Sequence, residues 1–162
     1  MTNKNDSYFM KLTRKQVDQQ VGDFTAACRR EGVKATHQRM EILRELAGTT
    51  EHPDAETVYT RVRQRIPAIS LDTVYRTLRL LEKKGVISRV SSRQDRARFD
   101  ANMDHHHHFV CEACGRIVDF NSTALDDFRP PPEVAALGRV DSVHVELRGR
   151  CRTCMRAAGR RS

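Results

Sequence analysis

Long hydrophobic runs are absent from this 162-residue sequence, and its first residues include no apolar stretch of the kind found in secretory signals. A membrane-spanning helix needs about 18 to 20 apolar residues in succession, and no segment approaches that length. These absences predict a cytosolic protein with no membrane contact. In the reducing cytosol, paired cysteines more often bind metal than form disulfides.

The signatures of common enzyme classes are also missing. The sequence contains no HExxH zinc-protease motif, no Gly-rich phosphate-binding loop and no recognisable activated nucleophile. A zinc-dependent hydrolase would use similar His and Asp ligands, and it stays an alternative. It would leave the charge distribution unexplained, so we expect a protein that is not an enzyme.

Acidic residues are too few to balance the basic ones, and the basic surplus lies in one half of the chain. Residues 1–100 contain 20 Lys and Arg against 13 Asp and Glu, whereas residues 101–162 contain 9 against 8. A basic front half favours contact with a polyanion, above all nucleic acid. A well-solvated basic surface is the alternative.

Helical spacing of apolar residues characterises the basic half, and capping and breaking residues divide it into helices. The spacing predicts three helices within residues 14–32, 36–50 and 54–66, with Thr36 and Asp54 as caps and with Gly32 and Pro67 as stops. Cys28 is expected to lie on the first of these helices as a small buried hydrophobic residue.

The fourth predicted helix is the clearest, and a change of period follows it. It lies within residues 70–85, is capped by Ser70 or Asp72, and stops at Gly85. Alternating VISRV and ARFD segments then flank SSRQDR, which is typical of a β-hairpin. Helices followed by a hairpin predict a winged helix-turn-helix, whose last helix would enter the DNA major groove.

The rear half predicts a small α+β domain. HHHHFVC, RIVDF and SVHVELRG are expected to be strands, NSTALDDF a short helix, and FRPPPEV a Pro-rich turn. Exposed strand edges in such a domain would favour pairing with a second copy, and hence a homodimer.

Four of the five cysteines form two Cys-x-x-Cys pairs separated by 36 residues. Two tight turns of this kind can direct four thiolates at one ion, which is typical of a closed structural zinc site. Unrelated surface thiols are one alternative. A thioredoxin-like redox pair is another, although neither pair is expected to begin a helix after a strand of a β-α-β unit. The predicted zinc ligands are Cys111, Cys114, Cys151 and Cys154.

Four consecutive histidines, residues 105–108, precede the first cysteine pair. Alternate residues of a strand face the same side, so His105 and His107 would face one way and His106 and His108 the other. Each face could chelate one ion, and the nearby carboxylates, which include Asp119 and Asp126, favour Fe(II), Mn(II) or Zn(II). A purification tag or a solvated polar strand is the alternative.

The order of these motifs resembles the ferric uptake regulator (Fur) family of bacterial metal-dependent repressors. The resemblance rests on TVYRTLRLLEKKGVISRV, RFD, HHHHFVCEACGRIVDF and ELRGRCRTC, and it covers roughly residues 20–155. It implies a winged-helix DNA-binding domain over residues 1–99, of which 1–15 are expected to be flexible. It further implies a hinge over residues 100–103 and a dimerisation and metal-binding domain over residues 104–158.

The resemblance also implies roles for individual residues. The four paired cysteines match the structural zinc ligands. Asp100 and Asp119, together with CEACGRIVDF, favour the peroxide-responsive (PerR) branch. The implied regulatory ligands for Fe(II) or Mn(II) are His52, Asp100, His106, His108 and Asp119, and the implied extra metal site consists of His105, His107 and Asp126. Its remaining histidine would fall at Val143, beside His144.

The resemblance implies contacts with double-stranded DNA as well. Tyr75 and Arg76 match the pair that contacts bases, because Tyr can touch thymine methyl groups and Arg can reach guanine or phosphate. A buried aromatic role is the alternative for Tyr75, and a solvated hairpin tip is the alternative for the two wing arginines. The implied DNA-binding residues are Lys34, Thr73, Tyr75, Arg76, Arg79, Arg93 and Arg96.

One position departs from the peroxide-responsive pattern. Met40 occupies the place where that branch has an iron-binding histidine, and a thioether is a poor ligand for Fe(II) or Mn(II). Met40 also fits the apolar face of its helix, which favours core packing. His37 lies one turn earlier and could substitute as a ligand, or it could be a solvated residue near the helix start. We therefore expect a PerR-like repressor, with a ferric- or zinc-uptake regulator as the alternative.

Overall fold

The computed structural model describes residues 13–90 and 96–159. Backbone contacts divide the chain into two compact units, residues 1–103 and residues 104–162. The predicted flexible start, residues 1–15, lies outside the described residues except for its last three, which form the cap and first residues of a helix. Nowhere in the described ranges does a helix combine the length and apolar character needed to cross a bilayer.

Four helices make up most of the N-terminal unit: α1 (Arg14–Arg30), α2 (His37–Ala47), α3 (Ala55–Arg63) and α4 (Leu71–Lys83). Each begins where a Thr, Asp or Ser side chain accepts a hydrogen bond from a backbone N–H of the first turn. Thr36 and Asp54 cap α2 and α3 as predicted, and Ser70 rather than Asp72 caps α4.

The ends of the helices follow the predicted breakers, with one correction. Gly32 and Gly85 adopt positive φ values of 69° and 65° just beyond α1 and α4, a conformation that glycine tolerates best. The predicted end of the third helix at Pro67 was too late. α3 ends at Arg63, and hydrogen-bonded turns to the carbonyl of Val62 fill the interval before Pro67.

The apolar faces of these helices form one core. Phe24 and Cys28 of α1 are buried, which confirms the prediction for Cys28. Val86, Ile87 and Phe99 from the segment after α4 pack into the same cluster. The remaining helical core residues are Ile42, Leu43, Leu46, Ala47, Ala55, Val58, Val62, Val74, Leu78 and Leu81.

A two-stranded antiparallel hairpin completes the N-terminal unit. β1 (Ser88–Val90) pairs with β2 (Arg98–Asp100) so that Arg89 lies opposite Phe99. The strands are shorter than the predicted segments VISRV and ARFD. The tip of the hairpin, residues 91–95, lies outside the described residues, and the predicted DNA contact Arg93 falls there.

The C-terminal unit contains a three-stranded sheet in the order β4-β3-β5, formed by β3 (His107–Cys111), β4 (Ile117–Phe120) and β5 (Glu146–Gly149). β4 is antiparallel to β3, whereas β5 is parallel to it. The helices are α5 (Thr123–Asp126), α6 (Pro132–Ala135) and α7 (Arg152–Gly159). α6 begins within the segment predicted as a Pro-rich turn and ends one residue beyond it, and α7 was not predicted.

Candidate metal centres and nucleic-acid interface

The four paired cysteines meet at one end of the C-terminal sheet. Parallel pairing of β3 with β5 sets Cys111 opposite Gly149, which brings the second cysteine pair beside the first. One Sγ from each of the four lies within 4.8 Å of all the others, and the Cys114 and Cys151 sulfurs are 3.9 Å apart. Two sulfurs bound tetrahedrally to zinc at about 2.3 Å would be about 3.8 Å apart. The cluster is therefore compatible with a zinc site.

The thiols of this cluster resist joint ionisation. Burial raises the pKa of Cys111, but backbone N–H donors from Cys151, Cys114 and Ala113 outweigh it and lower the pKa to about 6. Hydrogen bonding to the Cys151 and Cys114 thiols raises the pKa of Cys154 to about 12. One thiolate thus forms readily while a neighbouring thiol stays protonated. A divalent cation would reverse this preference, because thiolates are its ligands.

A helix that was not predicted holds the second cysteine pair beside β5. Cys151 follows β5 and Cys154 lies in α7, but no strand follows α7 among the described residues, so the pair does not belong to a β-α-β unit. The residues of α7 contain no strong helix signal, so this helix was not predicted. Three other sulfurs surround each cysteine, and this arrangement differs from an isolated dithiol pair.

On one side of the start of β3, two imidazoles and a carboxylate converge. The Nε2 atoms of His106 and His108 are 3.0 Å apart, and Oδ1 of Asp119 lies 3.9 Å and 3.5 Å from them. Register explains the third member, because Asp119 on β4 lies opposite His108. Nδ1 of His106 donates to the carbonyl of Asp104, so the neutral ring presents a lone pair at Nε2. This is the tautomer that a metal ligand needs.

The opposite face holds a second group with different hydrogen bonding. Oδ1 of Asp126 lies 2.9 Å from Nε2 of His105 and 3.1 Å from Nε2 of His107. Nδ1 of His107 accepts from the backbone N–H of Val145 at 3.3 Å. In the neutral ring the proton therefore lies on Nε2, facing Asp126. Binding an ion through that nitrogen would require a change of tautomer. The His144 ring lies 5.4 Å from that of His105.

The N-terminal unit contributes a separate histidine–carboxylate pair. His52 lies in the loop between α2 and α3, and its Nε2 is 3.4 Å from Oδ2 of Asp100 at the end of β2. Both side chains are buried. The other carboxylate oxygen of Asp100 accepts from the N–H of Asn102 at 2.7 Å. Two ligands of a tetrahedral ion at about 2.1 Å would be about 3.4 Å apart, so the pair has the spacing of two metal ligands.

The alternatives to a histidine at position 40 can also be placed. Met40 packs against the core, as predicted, and its sulfur lies 3.9 Å from the Thr25 hydroxyl. His37 is solvent-exposed as the first residue of α2. His37 belongs to none of the groups of converging His, Cys, Asp and Glu ligand atoms among the described residues.

The predicted DNA contacts that the structure describes lie on the surface of the N-terminal unit, exposed except for the half-buried Thr73. Tyr75 is 39% exposed, whereas its neighbour Val74 is fully buried, so Tyr75 is not a core aromatic. Arg76 pairs with Asp72 at 2.6 Å, and the hydroxyl of Thr73 bonds to Ser70 at 2.8 Å. Lys34 is exposed before α2.

A concavity of about 200 Å³ connects α4 with the hairpin. Arg96 and Glu56 both line it, and Arg96 donates to Glu56 at 2.7 Å, which ties the residues before β2 to α3. Arg89, which was not among the predicted DNA contacts, lines the same concavity and pairs with Glu82 at 2.9 Å. The polar residues that line the concavity are Asp54, Glu56, Tyr75, Arg79, Arg89 and Arg96.

Comparison with known proteins identifies the family of this chain. The sequence model of the Ferric uptake regulator family matches residues 30–147. The chain belongs to the ferric uptake regulator family. It is 31% identical over 145 residues to the peroxide-responsive repressor PerR of Staphylococcus epidermidis. The aligned region covers 90% of this chain and 97% of that protein.

Solved structures of Fur-family proteins share its fold. A zinc-bound manganese uptake regulator is 30% identical with a TM-score of 0.60, over 79% of this chain and 98% of that one. The ferric uptake regulator of Helicobacter pylori, described as having three functional metal-binding sites, gives a TM-score of 0.68 at 22% identity. That match covers 91% of this chain and 97% of the other, and it supports the α+β architecture with a winged helix.

Proposed function

We propose that this Fur-family chain is a metal-dependent, DNA-binding transcriptional repressor of the peroxide-responsive type. Regulators of this family bind DNA as dimers and are not enzymes. We extend this to the chain itself as a cytoplasmic homodimer that acts on a DNA operator. The observation that carries the proposal is the separation of two donor chemistries, with sulfur in one cluster and imidazole with carboxylate in the others.

The sulfur cluster is the proposed structural zinc site. Its four thiols come from the end of β3, the turn after it and the start of α7. A bound ion would therefore cross-link segments that are 40 residues apart in sequence. The free energy of binding would then contribute directly to folding of the C-terminal unit.

The nitrogen and oxygen donors are the proposed regulatory ligands. His52 and Asp100 come from the N-terminal unit, and His106, His108 and Asp119 come from the C-terminal unit. Ligands from both units would restrict the hinge proposed at residues 100–103. That restriction would fix the orientation in which the two winged helices of a dimer bind neighbouring DNA half-sites. The chemistry that a ferrous ion would supply at these ligands is reduction of peroxide.

DNA contact is assigned to the exposed face of α4 and to the hairpin. Tyr75 and Arg76 would contact bases, while Arg79 and Arg96 would contact phosphates. Exposure of Tyr75 beside the buried Val74 supports this role. Thr73, Lys34 and the hairpin-tip residue Arg93 are the further proposed contacts.

Dimerisation is assigned to the C-terminal unit. β4 and β5 are the edges of its sheet. Several large apolar side chains are exposed in the described part of this unit, as expected where a second copy packs. They are Phe128, Leu137, Val140, Leu147 and Met155. Sedimentation velocity of the full chain should give the mass of a dimer.

An uptake regulator is the second candidate, and Met40 favours it. A thioether packed against the core supplies no hard ligand where a peroxide sensor has a histidine. The two candidates predict different responses to peroxide.

The decisive experiment measures binding of the zinc-loaded protein to operator DNA with Mn(II), Fe(II), Zn(II) or a chelator, before and after peroxide. Loss of DNA binding in the Fe(II) form alone supports peroxide sensing. Metal-reversible binding that peroxide does not alter supports the uptake regulator. Absence of binding to duplex DNA under every condition would contradict both candidate functions.

A further inference from the structure

His52 has an unusual backbone conformation. Of the residues that the structure describes, it is the only non-glycine with a positive φ, which is 50°. Side chains with a Cβ atom are disfavoured in this left-handed region, and such residues persist where their surroundings hold them. His52 is also 98% buried, since its exposed fraction is 2%. Something in the N-terminal unit must therefore hold this loop.

The guanidinium of Arg98 contacts the loop on both sides of the strained residue. Its Nη2 donates to the carbonyl of Glu51 at 2.6 Å, and its Nε donates to the carbonyl of His52. A planar guanidinium can bond two consecutive carbonyls at once because its N–H groups diverge in a fixed fork. A lysine ammonium has no such geometry.

The strand that carries Arg98 continues along the same loop. The N–H of Phe99 donates to the carbonyl of Pro53 at 3.1 Å, and an isolated bridge joins Arg98 to Asp54. Asp100 is two residues beyond Arg98 and therefore lies on the same side of the strand. Its carboxylate is the group that lies 3.4 Å from the His52 imidazole. One strand thus holds both the backbone and the ring of His52.

We propose that Arg98 is a positioning residue for metal binding at His52. By bonding the two carbonyls that flank the His52 N–H and Cα, it holds the backbone in the conformation that directs Nε2 toward Asp100. The inference rests on the proposed function, because it requires His52 to be a ligand of the regulatory ion. Arg98 itself does not touch the ion in this proposal.

A double-mutant cycle on the full-length, zinc-loaded protein tests the proposal. Mn(II) affinity is measured by electron paramagnetic resonance for the wild type, Arg98→Gln, His52→Ala and the double variant. Arg98→Gln should weaken Mn(II) binding by about tenfold or more, as for other residues that orient metal ligands. Since Arg98 acts through His52, the double variant should bind no more weakly than His52→Ala.

Arg89→Gln is the matched control. Arg89 lies on β1, pairs with Glu82 rather than with the loop, and carries the same charge. It should leave Mn(II) affinity unchanged. Thermal unfolding of each variant reports on the fold. Arg98→Lys, which keeps the charge without the fork, serves as the second variant if Arg98→Gln does not fold, and it should lose affinity in the same direction.

The outcomes separate this inference from the proposed function. If His52→Ala binds Mn(II) like the wild type, both the ligand assignment and the role of Arg98 are wrong. If His52→Ala weakens binding but neither Arg98 variant does, only the positioning role is overturned. Additive losses in the double variant would also overturn it, because they would show that Arg98 acts by another route.

Discussion

Two pairs of histidines alternate at the start of β3, and the adjacent rings of His106 and His107 are held in opposite tautomers. His106 donates from Nδ1 to a carbonyl and so presents a lone pair at Nε2. His107 accepts at Nδ1 and so presents a proton at Nε2. The residue type and the spacing are the same on both faces, and hydrogen bonding to the backbone makes the difference. His106 therefore presents a lone pair at the nitrogen where an ion could bind, whereas His107 would first have to change its tautomer.

Nitrogen NMR of the metal-free protein should distinguish the two faces. Long-range proton–nitrogen correlation spectra are expected to show protonated Nδ1 in His106 and protonated Nε2 in His107. His144, which is exposed, provides the reference ring in the same spectra. The same tautomer in both buried rings would contradict the asymmetry.

Proton release on zinc binding tests the unequal cysteines. Cys111, with its pKa lowered to about 6, is largely thiolate at pH 7, whereas Cys154 with a pKa of about 12 is not. Zinc binding at pH 7 should therefore release fewer protons than the four thiols contain. As the pH falls through about 6, Cys111 becomes protonated and the number released should rise.

Isothermal titration calorimetry in buffers of different ionisation enthalpy gives the number of protons at pH 7 and at pH 5. Cys28→Ala, which alters a thiol buried in the other unit, should leave that number unchanged. A release that is constant across this range would show that Cys111 has no favoured thiolate.

At the scale of the elements, caps and breakers were the most predictable features. Thr36, Asp54 and Gly85 mark their helix boundaries because each satisfies a local backbone requirement that the sequence alone reveals. α7 could not be predicted in this way. It has no N-terminal cap signal, since a cysteine precedes it, and its place depends on pairing between β3 and β5.

The candidate metal ligands could be grouped from the sequence where the grouping depends on local strand geometry. Strand alternation placed His105 with His107 and His106 with His108, and this grouping is observed. Arg98 was missed because its function depends on two backbone carbonyls more than 40 residues earlier in the chain. No periodicity or motif reports a contact of that kind.

The N-cap of α3 gives a prediction about stability. Asp54→Ala should lower the free energy of unfolding of the N-terminal unit by about 1 kcal/mol at pH 7. Burial raises the pKa of Asp54, but hydrogen bonds from Thr57 and the charges of Arg98 and Arg96 outweigh it and lower the pKa. The contribution is therefore present at neutral pH and is lost as the pH falls below about 4.

Urea unfolding at pH 7 and pH 3 measures this difference. Asp72→Ala is the control, because Asp72 lies in the first turn of α4 with an exposed side chain and does not cap the helix. An equal loss at both pH values would mean that the carboxylate charge is not the stabilising feature.

For the whole molecule, the uneven charge leads to a prediction about DNA. Arg79→Gln should weaken binding to all DNA sequences and reduce the slope of log affinity against log salt by about one. Tyr75→Ala should instead reduce discrimination between the operator and other sequences, because it would remove a base contact.

Fluorescence anisotropy over a range of salt concentrations, with operator and scrambled duplexes, separates the two effects. Arg139→Gln removes the same charge from the C-terminal unit, where Arg139 is exposed and paired with Asp141, and it should alter neither quantity. Equal effects of the Arg79 and Arg139 variants would show that net charge, rather than the α4 face, governs affinity.

The parallel pairing of β3 with β5 also affects how this protein is made. On the ribosome, the first cysteine pair emerges about 40 residues before the second, and a nascent chain that stops before Cys151 holds only half of the sulfur ligands. The N-terminal helices, by contrast, can pack as soon as they leave the exit tunnel. Assembly of the C-terminal unit is therefore a late event in synthesis. Translation that ends early leaves the basic N-terminal unit without a completed C-terminal unit.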